Sequence, residues 1–70
     1  MPQAIHVTVN GAPREFAAPL TFAQFVDELA LAGKRLAIEV NGEIVPRSRF
    51  PEARLADGDR IEVVVAVGGG

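Results

Sequence analysis

The chain ends in three glycines, Gly68, Gly69 and Gly70, which directly follow the apolar run 61–67. Glycine has no side chain and adopts backbone angles that other residues avoid, so this segment can pass through a narrow enzyme channel. Val67 and the glycines span on the order of 13 Å when extended, at about 3.3–3.6 Å per residue. The residues therefore predict chemistry at the Gly70 carboxylate inside a partner's active site; a frayed end without function is the alternative.

The other chemically active side chains favour structural roles. His6 is the lone histidine and belongs to the solvent face of a predicted strand. Asp57 and Asp59 flank Gly58, and turn formation explains this spacing without a metal ion. The sequence has no cysteine, which excludes disulfides and a sulfur nucleophile on a side chain. We expect no catalytic residue, no metal site and no cofactor bound by this chain.

Length and charge exclude several classes of protein. A domain of 70 residues buries only about 60% of its unfolded surface, which leaves little material for a catalytic pocket. Seven basic and nine acidic residues, net charge −2, form no basic stripe for nucleic acid. No targeting signal is evident, and no segment reaches the roughly 20 apolar residues of a membrane span. The sequence predicts a cytoplasmic protein, monomeric when free, that is not an enzyme and binds neither nucleic acid nor membranes.

The first elements are predicted to be a hairpin and a helix. Apolar and polar side chains alternate over residues 5–9, as in a strand with one buried face. Asn10-Gly11 predicts a tight turn into a weaker edge strand at 14–17, which two prolines bound.

The helix is predicted to begin at a capping box formed by Thr21 and Gln24. Helical spacing places one set of apolar residues on a common face: Phe22, Phe25, Val26, Leu29 and Ala30. Gly33 is the expected left-handed residue that ends the helix.

The second half of the chain is predicted to add three strands. Residues 36–40 alternate as a strand, and Asn41-Gly42 turns the chain into a short strand at 43–45. A loop with a helical turn follows at 47–56, and its apolar residues Phe50 and Leu55 are expected to close one end of the core. An Asp-Gly turn at 57–58 leads into the last strand, residues 60–67.

This order of elements predicts an α+β fold of the β-grasp, or ubiquitin-like, type. The helix joins two strands that no hairpin can link, so it must cross the mixed sheet and cover one face. We assign residues 1–67 to this domain and residues 68–70 to a flexible glycine tail.

The uncovered face of the sheet is the predicted partner-binding surface. Alternation in the last strand places Glu62, Val64 and Ala66 on this face, with Ala37 and Glu39 of the third strand as their neighbours on one side. On the other side, we expect the outward residues of the last strand to lie beside His6 and Thr8 of the first strand. Small apolar groups near the tail favour a partner interface, although exposed apolar residues are also common without one.

Three segments carry a resemblance to a known family: VNGEIVPR at 40–47, DGDRIE at 57–62 and AVGGG at 66–70. Together they resemble the ThiS family, the sulfur carriers of thiamine (thiazole) biosynthesis. The resemblance covers nearly the whole chain and is weaker before Gly33. The segment NGEIVPR distinguishes this family from the small subunit of molybdopterin synthase.

The resemblance implies a cycle of chemistry at Gly70. An adenylyltransferase of the ThiF type, similar to ubiquitin-activating enzymes, would use ATP and magnesium to form a glycyl adenylate. A persulfide donor would convert it to a thiocarboxylate (1-thioglycine), and the sulfur would pass to a thiazole synthase of the ThiG type. Val67, Gly68 and Gly69 would enter the partners' active sites.

Two alternatives remain open at the level of sequence. The chain could be a ubiquitin-like sulfur carrier for another pathway, such as molybdopterin, cysteine or tRNA thiolation. It could also be a β-grasp interaction module whose sheet face binds a partner and whose tail is inert.

Overall fold

A computed structural model describes residues 3–66 of the chain. All the predicted elements are present in the predicted order. They are strand β1 (Gln3–Val9), strand β2 (Ala12–Ala18), helix α1 (Phe22–Glu28), strand β3 (Leu36–Val40), strand β4 (Glu43–Val45), a 3-10 helix (Arg47–Arg49) and strand β5 (Arg60–Val65). Strand β5 ends at Val65, before the predicted end at Val67, which lies outside the described residues.

The five strands form one mixed sheet in the order β2-β1-β5-β3-β4. Strands β1 and β5 are parallel at the centre, and the other neighbouring strands are antiparallel. Helix α1 follows the β1–β2 hairpin and precedes β3, so it connects opposite halves of the sheet. This arrangement confirms the β-grasp prediction and places β5, the strand that leads to the glycine tail, between two neighbours.

The core lies between α1 and one face of the sheet. Phe25, Ile38 and Ile61 are fully buried, one each from the helix and the two strands β3 and β5. Phe50 and Leu55 are buried in the same cluster, which confirms that the loop after β4 closes the core. The remaining members are Ile5, Val7, Leu20, Phe22, Val26 and Val63.

The backbone N–H groups at the start of α1 donate to two sets of acceptors, one in the capping box and one in the loop after β4. Thr21 and Gln24 form the predicted capping box, with the Gln24 N–H donating to Thr21 Oγ1 at 3.2 Å and the Thr21 N–H donating to Gln24 Oε1 at 2.9 Å. The N–H groups of Phe22 and Ala23 donate to carbonyls of the 50–53 loop, each at 3.0 Å. Because free donors at a helix start must find partners, these bonds attach the loop to the helix.

The helix ends earlier than the sequence suggested. Its last residue is Glu28, and Ala30, rather than Gly33, takes the left-handed position after it, with φ of 59°. The Leu31 N–H donates to the Val26 carbonyl at 2.9 Å and the Ala30 N–H donates to the Asp27 carbonyl at 2.9 Å. These two bonds make a Schellman motif. Ala30 is therefore exposed, and its placement on the apolar face was wrong.

Candidate functional site

The predicted reactive end of the chain lies outside the described residues. Val67, Gly68, Gly69 and Gly70, the predicted modified residue and the tail that carries it, all fall there. The structure does describe the residues from which the tail departs, up to Ala66. We call β5 together with Ala66 the tail root.

On one side, the tail root is hydrogen-bonded to β3 and the residue before it. Glu62 pairs with Glu39, and Val64 pairs with Ala37. The ladder continues one step beyond the strand, because the Ala66 N–H donates to the Arg35 carbonyl at 2.9 Å. The sheet therefore holds the chain as far as the last described residue.

On the other side, a side chain extends the ladder after β1 ends. The Asn10 N–H donates to the Ile61 carbonyl at 2.9 Å, where the two parallel strands still pair. Beyond this point the Val63 N–H donates to Asn10 Oδ1 at 2.8 Å, and Asn10 Nδ2 donates to the Val63 carbonyl at 3.1 Å. The carboxamide thus takes the place of a backbone amide in the sheet.

Asn41 makes a similar connection at the start of β5. The Arg60 N–H donates to Asn41 Oδ1 at 3.0 Å, and the Asn41 N–H donates to the Arg60 carbonyl at 2.8 Å. The Asn-Gly pattern predicts only turns at Asn10 and Asn41 and does not reveal either of these side-chain bonds. The sequence signal for these bonds was that both turns begin with asparagine. Glycine would also tolerate the positive φ there but has no side chain to form a hydrogen bond.

The predicted partner-binding residues share the face of the sheet away from the core, and every one is exposed: Ala37, Glu39, Glu62, Val64 and Ala66. Val64 is 63% exposed. The structure adds Ile44, which is 70% exposed and pairs with Glu39 from strand β4. Ile44 was not predicted, because the three residues of β4 are too few to show which side chains alternate outward. We call these six residues the open face.

The expected neighbours on the β1 side of the open face were wrong. The parallel register pairs Thr8 with Arg60. Strand β1 ends at Val9, so Val64 and Ala66 continue past it. His6 lies at the opposite end of β5, where its carbonyl accepts from the Gly58 N–H at 2.7 Å. Alternation identifies the face of a strand but not its register, which is why the sequence misplaced these residues.

The remaining polar candidates take part in turn structure. The His6 N–H donates to Asp57 Oδ1 at 2.7 Å, and its exposed ring nitrogens lie 3.6 Å from Asp57 and 3.8 Å from Glu15. Asp59 accepts hydrogen bonds from the Ala56 N–H at 2.8 Å and from Asn41 Nδ2 at 3.1 Å. Within residues 3–66, histidine and carboxylate side chains form no group of three or more that could hold a metal ion. No helix in this part of the chain is long and apolar enough to cross a bilayer.

A mixed five-stranded sheet crossed by one helix, with its central last strand running toward terminal glycines, defines a ubiquitin-like β-grasp protein. The chain belongs to the ThiS family, whose sequence profile matches residues 7–70. It is similar to the crystal structure of the thiamine biosynthesis protein (ThiS) from Geobacter metallireducens, with a TM-score of 0.79 and 32% sequence identity. The match covers 94% of this chain and 100% of that one.

The chain is also similar to two proteins that differ greatly from each other in length. The chain is 38% identical over 64 residues to a thiazole synthase of Paramagnetospirillum magneticum, a match that covers 91% of this chain but 20% of that protein. The chain thus spans about a fifth of that relative's length. It is also 32% identical to the uncharacterized protein ycf40 of Porphyra purpurea, covering 94% of this chain and 93% of that protein.

Proposed function

We propose that this protein is a sulfur carrier for the thiazole ring of thiamine, with the Gly70 carboxylate as its reacting group. The observation that carries the proposal is the ThiS-family match, which extends through the glycines to Gly70. The similarity to a thiamine biosynthesis protein over 94% of the chain supports the same pathway. The protein is a co-substrate rather than an enzyme in this scheme, because partners act on its own carboxylate.

The first step activates Gly70. A carboxylate resists nucleophiles, so an adenylyltransferase of the ThiF type, with ATP and magnesium, must first convert it to an acyl adenylate. A carboxylate oxygen attacks the α-phosphorus of ATP, and pyrophosphate leaves. The product is a mixed anhydride with AMP as a good leaving group.

The second step introduces sulfur. The terminal sulfur of a partner's persulfide attacks the acyl carbon of Gly70 and releases AMP, which leaves an acyl disulfide. A second thiol then attacks the partner's sulfur in that bond, so the partner keeps a disulfide and Gly70 keeps the sulfur as a thiocarboxylate. This polarizable anion donates sulfur to a thiazole synthase of the ThiG type.

The described residues support this cycle by holding the tail root. Asn10 and the Arg35 carbonyl bond to β5 and Ala66 from opposite sides. A firmly held root limits the positions that the tail can sample, which lowers the entropy lost when a partner binds it. The glycines Gly68 and Gly69 then enter each active site without side-chain clashes.

The test measures the intact mass of the chain after incubation with the adenylyltransferase, ATP and a persulfide donor. We expect the mass increase of one oxygen-to-sulfur exchange, located at Gly70 by fragmentation. Gly69→Val and deletion of Gly70 should abolish adenylation, measured as ATP-pyrophosphate exchange, and leave the fold unchanged. Ala17→Val, which also enlarges a small side chain to valine but at an exposed position of β2, should exchange normally.

Normal exchange in the Gly69→Val protein would contradict the proposal. An unmodified C-terminus in protein purified from cells would instead favour an interaction module with an inert tail. A deletion strain that grows without thiamine would assign the carrier to another pathway.

A further inference from the structure

We propose that the free edge of β2 pairs with β2 of a second copy of this chain, so that the sheets of the two copies join into one continuous sheet. Strands β2 and β4 are the two edges of the sheet. An edge strand presents unpaired N–H and C=O groups that can pair with another strand. The inference concerns this edge alone and does not depend on the chemistry proposed for Gly70.

The hydrogen bonds of β1 show which backbone groups of β2 face outward. The Thr8 N–H and the His6 carbonyl both bond toward β5. Neighbouring residues of a strand direct their backbone groups to opposite sides, so Val7 bonds toward β2, where it pairs with Arg14. The alternate residues of β2 therefore direct their backbone groups away from β1: Pro13, Glu15 and Ala17.

The outward donors of β2 are the N–H groups of Glu15 and Ala17, since Pro13 has none. Both residues are exposed, and neither N–H has an acceptor within residues 3–66. The other edge offers less. Strand β4 has three residues, and the two-residue turn before it places its first and last residues in the bonds to β3, so Ile44 alone directs its N–H outward. The β2 edge is therefore the better template for another strand.

A pairing centred on Phe16 uses every outward donor. Two antiparallel copies related by a two-fold axis place the same residue of each copy opposite itself at the centre. With Phe16 there, Glu15 lies opposite Ala17 of the second copy, and symmetry repeats this pair on the other side. Residues paired in this way exchange both N–H···O bonds. No N–H of this edge is then left without an acceptor.

The neighbouring registers are less favourable. With Glu15 at the centre, two carboxylates lie directly opposite each other, and Ala17 faces Pro13, which has no N–H to give. With Arg14 at the centre, two guanidinium groups are opposed. Like charges in these positions destabilise a sheet. With Ala17 at the centre, Glu15 faces Pro19, which lies beyond the end of β2 and also lacks an N–H. The prolines and the charges thus select the register centred on Phe16.

Phe16 supplies an apolar contact at the centre of this pairing. Its half-buried ring packs on the core, edge-to-face with Phe25 at 5.5 Å between ring centroids. Residues opposite each other without mutual hydrogen bonds have Cα atoms about 4.5 Å apart, so the two Phe16 side chains meet, and aromatic pairs of this kind stabilise sheets. Arg14, with its guanidinium 5.9 Å from the ring centre, lies opposite Ala18 and meets no like charge there.

The surface along this edge is concave as well as unpaired. An open depression of about 300 Å³ lies beside β2, and a second strand at the edge would cover part of it. Its lining comes from β1 and β2: Gln3, Ala4, Glu15, Phe16 and Ala17.

The dimer leaves both reacting ends free. Strand β5 is two strands from β2, so the two β5 strands are five spacings apart, or about 24 Å at roughly 4.8 Å each. The two-fold axis directs the two tails toward opposite ends of the joined sheet. Because one strand of each copy makes the interface, association should be weak and dependent on concentration. At high concentration it replaces the free monomer expected from the sequence.

Sedimentation equilibrium of the full chain, from micromolar to millimolar concentration, measures the association. Ala17→Pro removes an outward donor from each copy without breaking a bond to β1, so the dissociation constant of the dimer should rise about tenfold or more. Ile44→Pro removes the outward donor of β4 and is the matched control, which should associate like the parent chain. Hydrogen exchange should slow with concentration at the N–H groups of Glu15 and Ala17, but not at Ile44.

Two charge variants test the register, and they also serve if Ala17→Pro fails to fold. Ala17→Lys places an ammonium group opposite Glu15 of the second copy and should tighten the dimer by roughly threefold to tenfold, whereas Ala17→Glu should weaken it by a similar factor. Ala32→Lys and Ala32→Glu make the same changes of net charge at an exposed position outside β2. Both should stay within about twofold of the parent chain.

A parent chain that stays monomeric at millimolar concentration would overturn the inference. So would association that Ala17→Pro leaves unchanged, or exchange that slows at Ile44 instead of Glu15 and Ala17, because β4 would then be the interface. Weaker association of both Ala17→Lys and Ala17→Glu would contradict the register centred on Phe16. Equal effects of Ala17→Lys and Ala32→Lys would also contradict it, since net charge alone would explain them. Circular dichroism identifies the variants that keep the fold and enter the comparison.

Discussion

At the scale of single residues, two asparagines do more than form turns. Both Asn10 and Asn41 have φ of 52°, which confirms the tight turns predicted from Asn-Gly. Each also bonds through its side chain to β5. A glycine in the same turns would supply the backbone angle but not these bonds. The Asn10 bonds are partly buried, whereas those of Asn41 are exposed, so we expect Asn10 to matter more.

Asn10→Gly should lower the free energy of unfolding by about 1–2 kcal/mol, because two partly buried hydrogen bonds to Val63 are lost while the positive φ remains easy. Urea denaturation measures the change, and hydrogen exchange should show faster loss of protection at the Val63 N–H. Asn41→Gly is the matched control and should cost less.

Asn10→Asp tests the second bond separately. It keeps an acceptor for the Val63 N–H but turns a second acceptor toward the Val63 carbonyl, so it should also destabilise the fold. Wild-type stability of this variant would show that the bond from Asn10 Nδ2 contributes nothing.

At the scale of elements, the end of α1 contains a residue in a strained backbone conformation. Ala30 occupies the left-handed position of the Schellman motif with φ of 59°. For a residue with a Cβ this conformation costs roughly 1–2 kcal/mol. Glycine is the usual residue there, which is why the sequence directed attention to Gly33. The hydrogen bonds of Ala30 and Leu31 offset the strain at this position.

Ala30→Gly should therefore stabilise the protein, by about 0.5–1 kcal/mol once the greater freedom of glycine in the unfolded chain is subtracted. Thermal unfolding would register this as a rise of roughly 2–8 °C for a domain of this size. Ala32→Gly, in the turn that follows and without positive φ, is the control and should leave stability unchanged or lower it. A lower melting temperature for Ala30→Gly would contradict the strain argument.

At the scale of the whole molecule, the two faces of the sheet have separate tasks. The face toward α1 supplies the core, and a domain this small needs nearly all of it for stability. The open face exposes the large apolar residues Ile44 and Val64 to solvent. Strand alternation makes this separation possible, because neighbouring residues point to opposite sides.

Replacing isoleucine by alanine should thus reduce stability on the core face and partner binding on the open face. Ile38 is 0% exposed, and Ile38→Ala should cost about 2–5 kcal/mol, close to unfolding a domain of this size. Ile44 is 70% exposed, and Ile44→Ala should change stability by no more than about 0.5 kcal/mol while weakening partner binding. Denaturation and binding measured on both variants would check this, and a large loss of stability in Ile44→Ala would contradict the separation.

Much of the site was accessible from local pattern. Alternation identified Val64 and Ala66 as outward-facing, and the capping box located the helix start. Ile44 was missed because its strand is only three residues long. The relation of β5 to β1 was also missed, since the register between parallel strands leaves no trace in either strand alone.

The sequence by itself determined the order of elements, the turns, the outward-facing residues of β3 and β5 and the family with its glycine ending, because each depends on residues close together in the chain. Only the tertiary structure decided how the tail root is held. Asn10 bonds to Val63 across 53 positions of sequence, and Arg47 reaches the Lys34 carbonyl beside the residue that pairs with Ala66. Such contacts depend on how the strands align in space, and that alignment is set by packing the whole core at once.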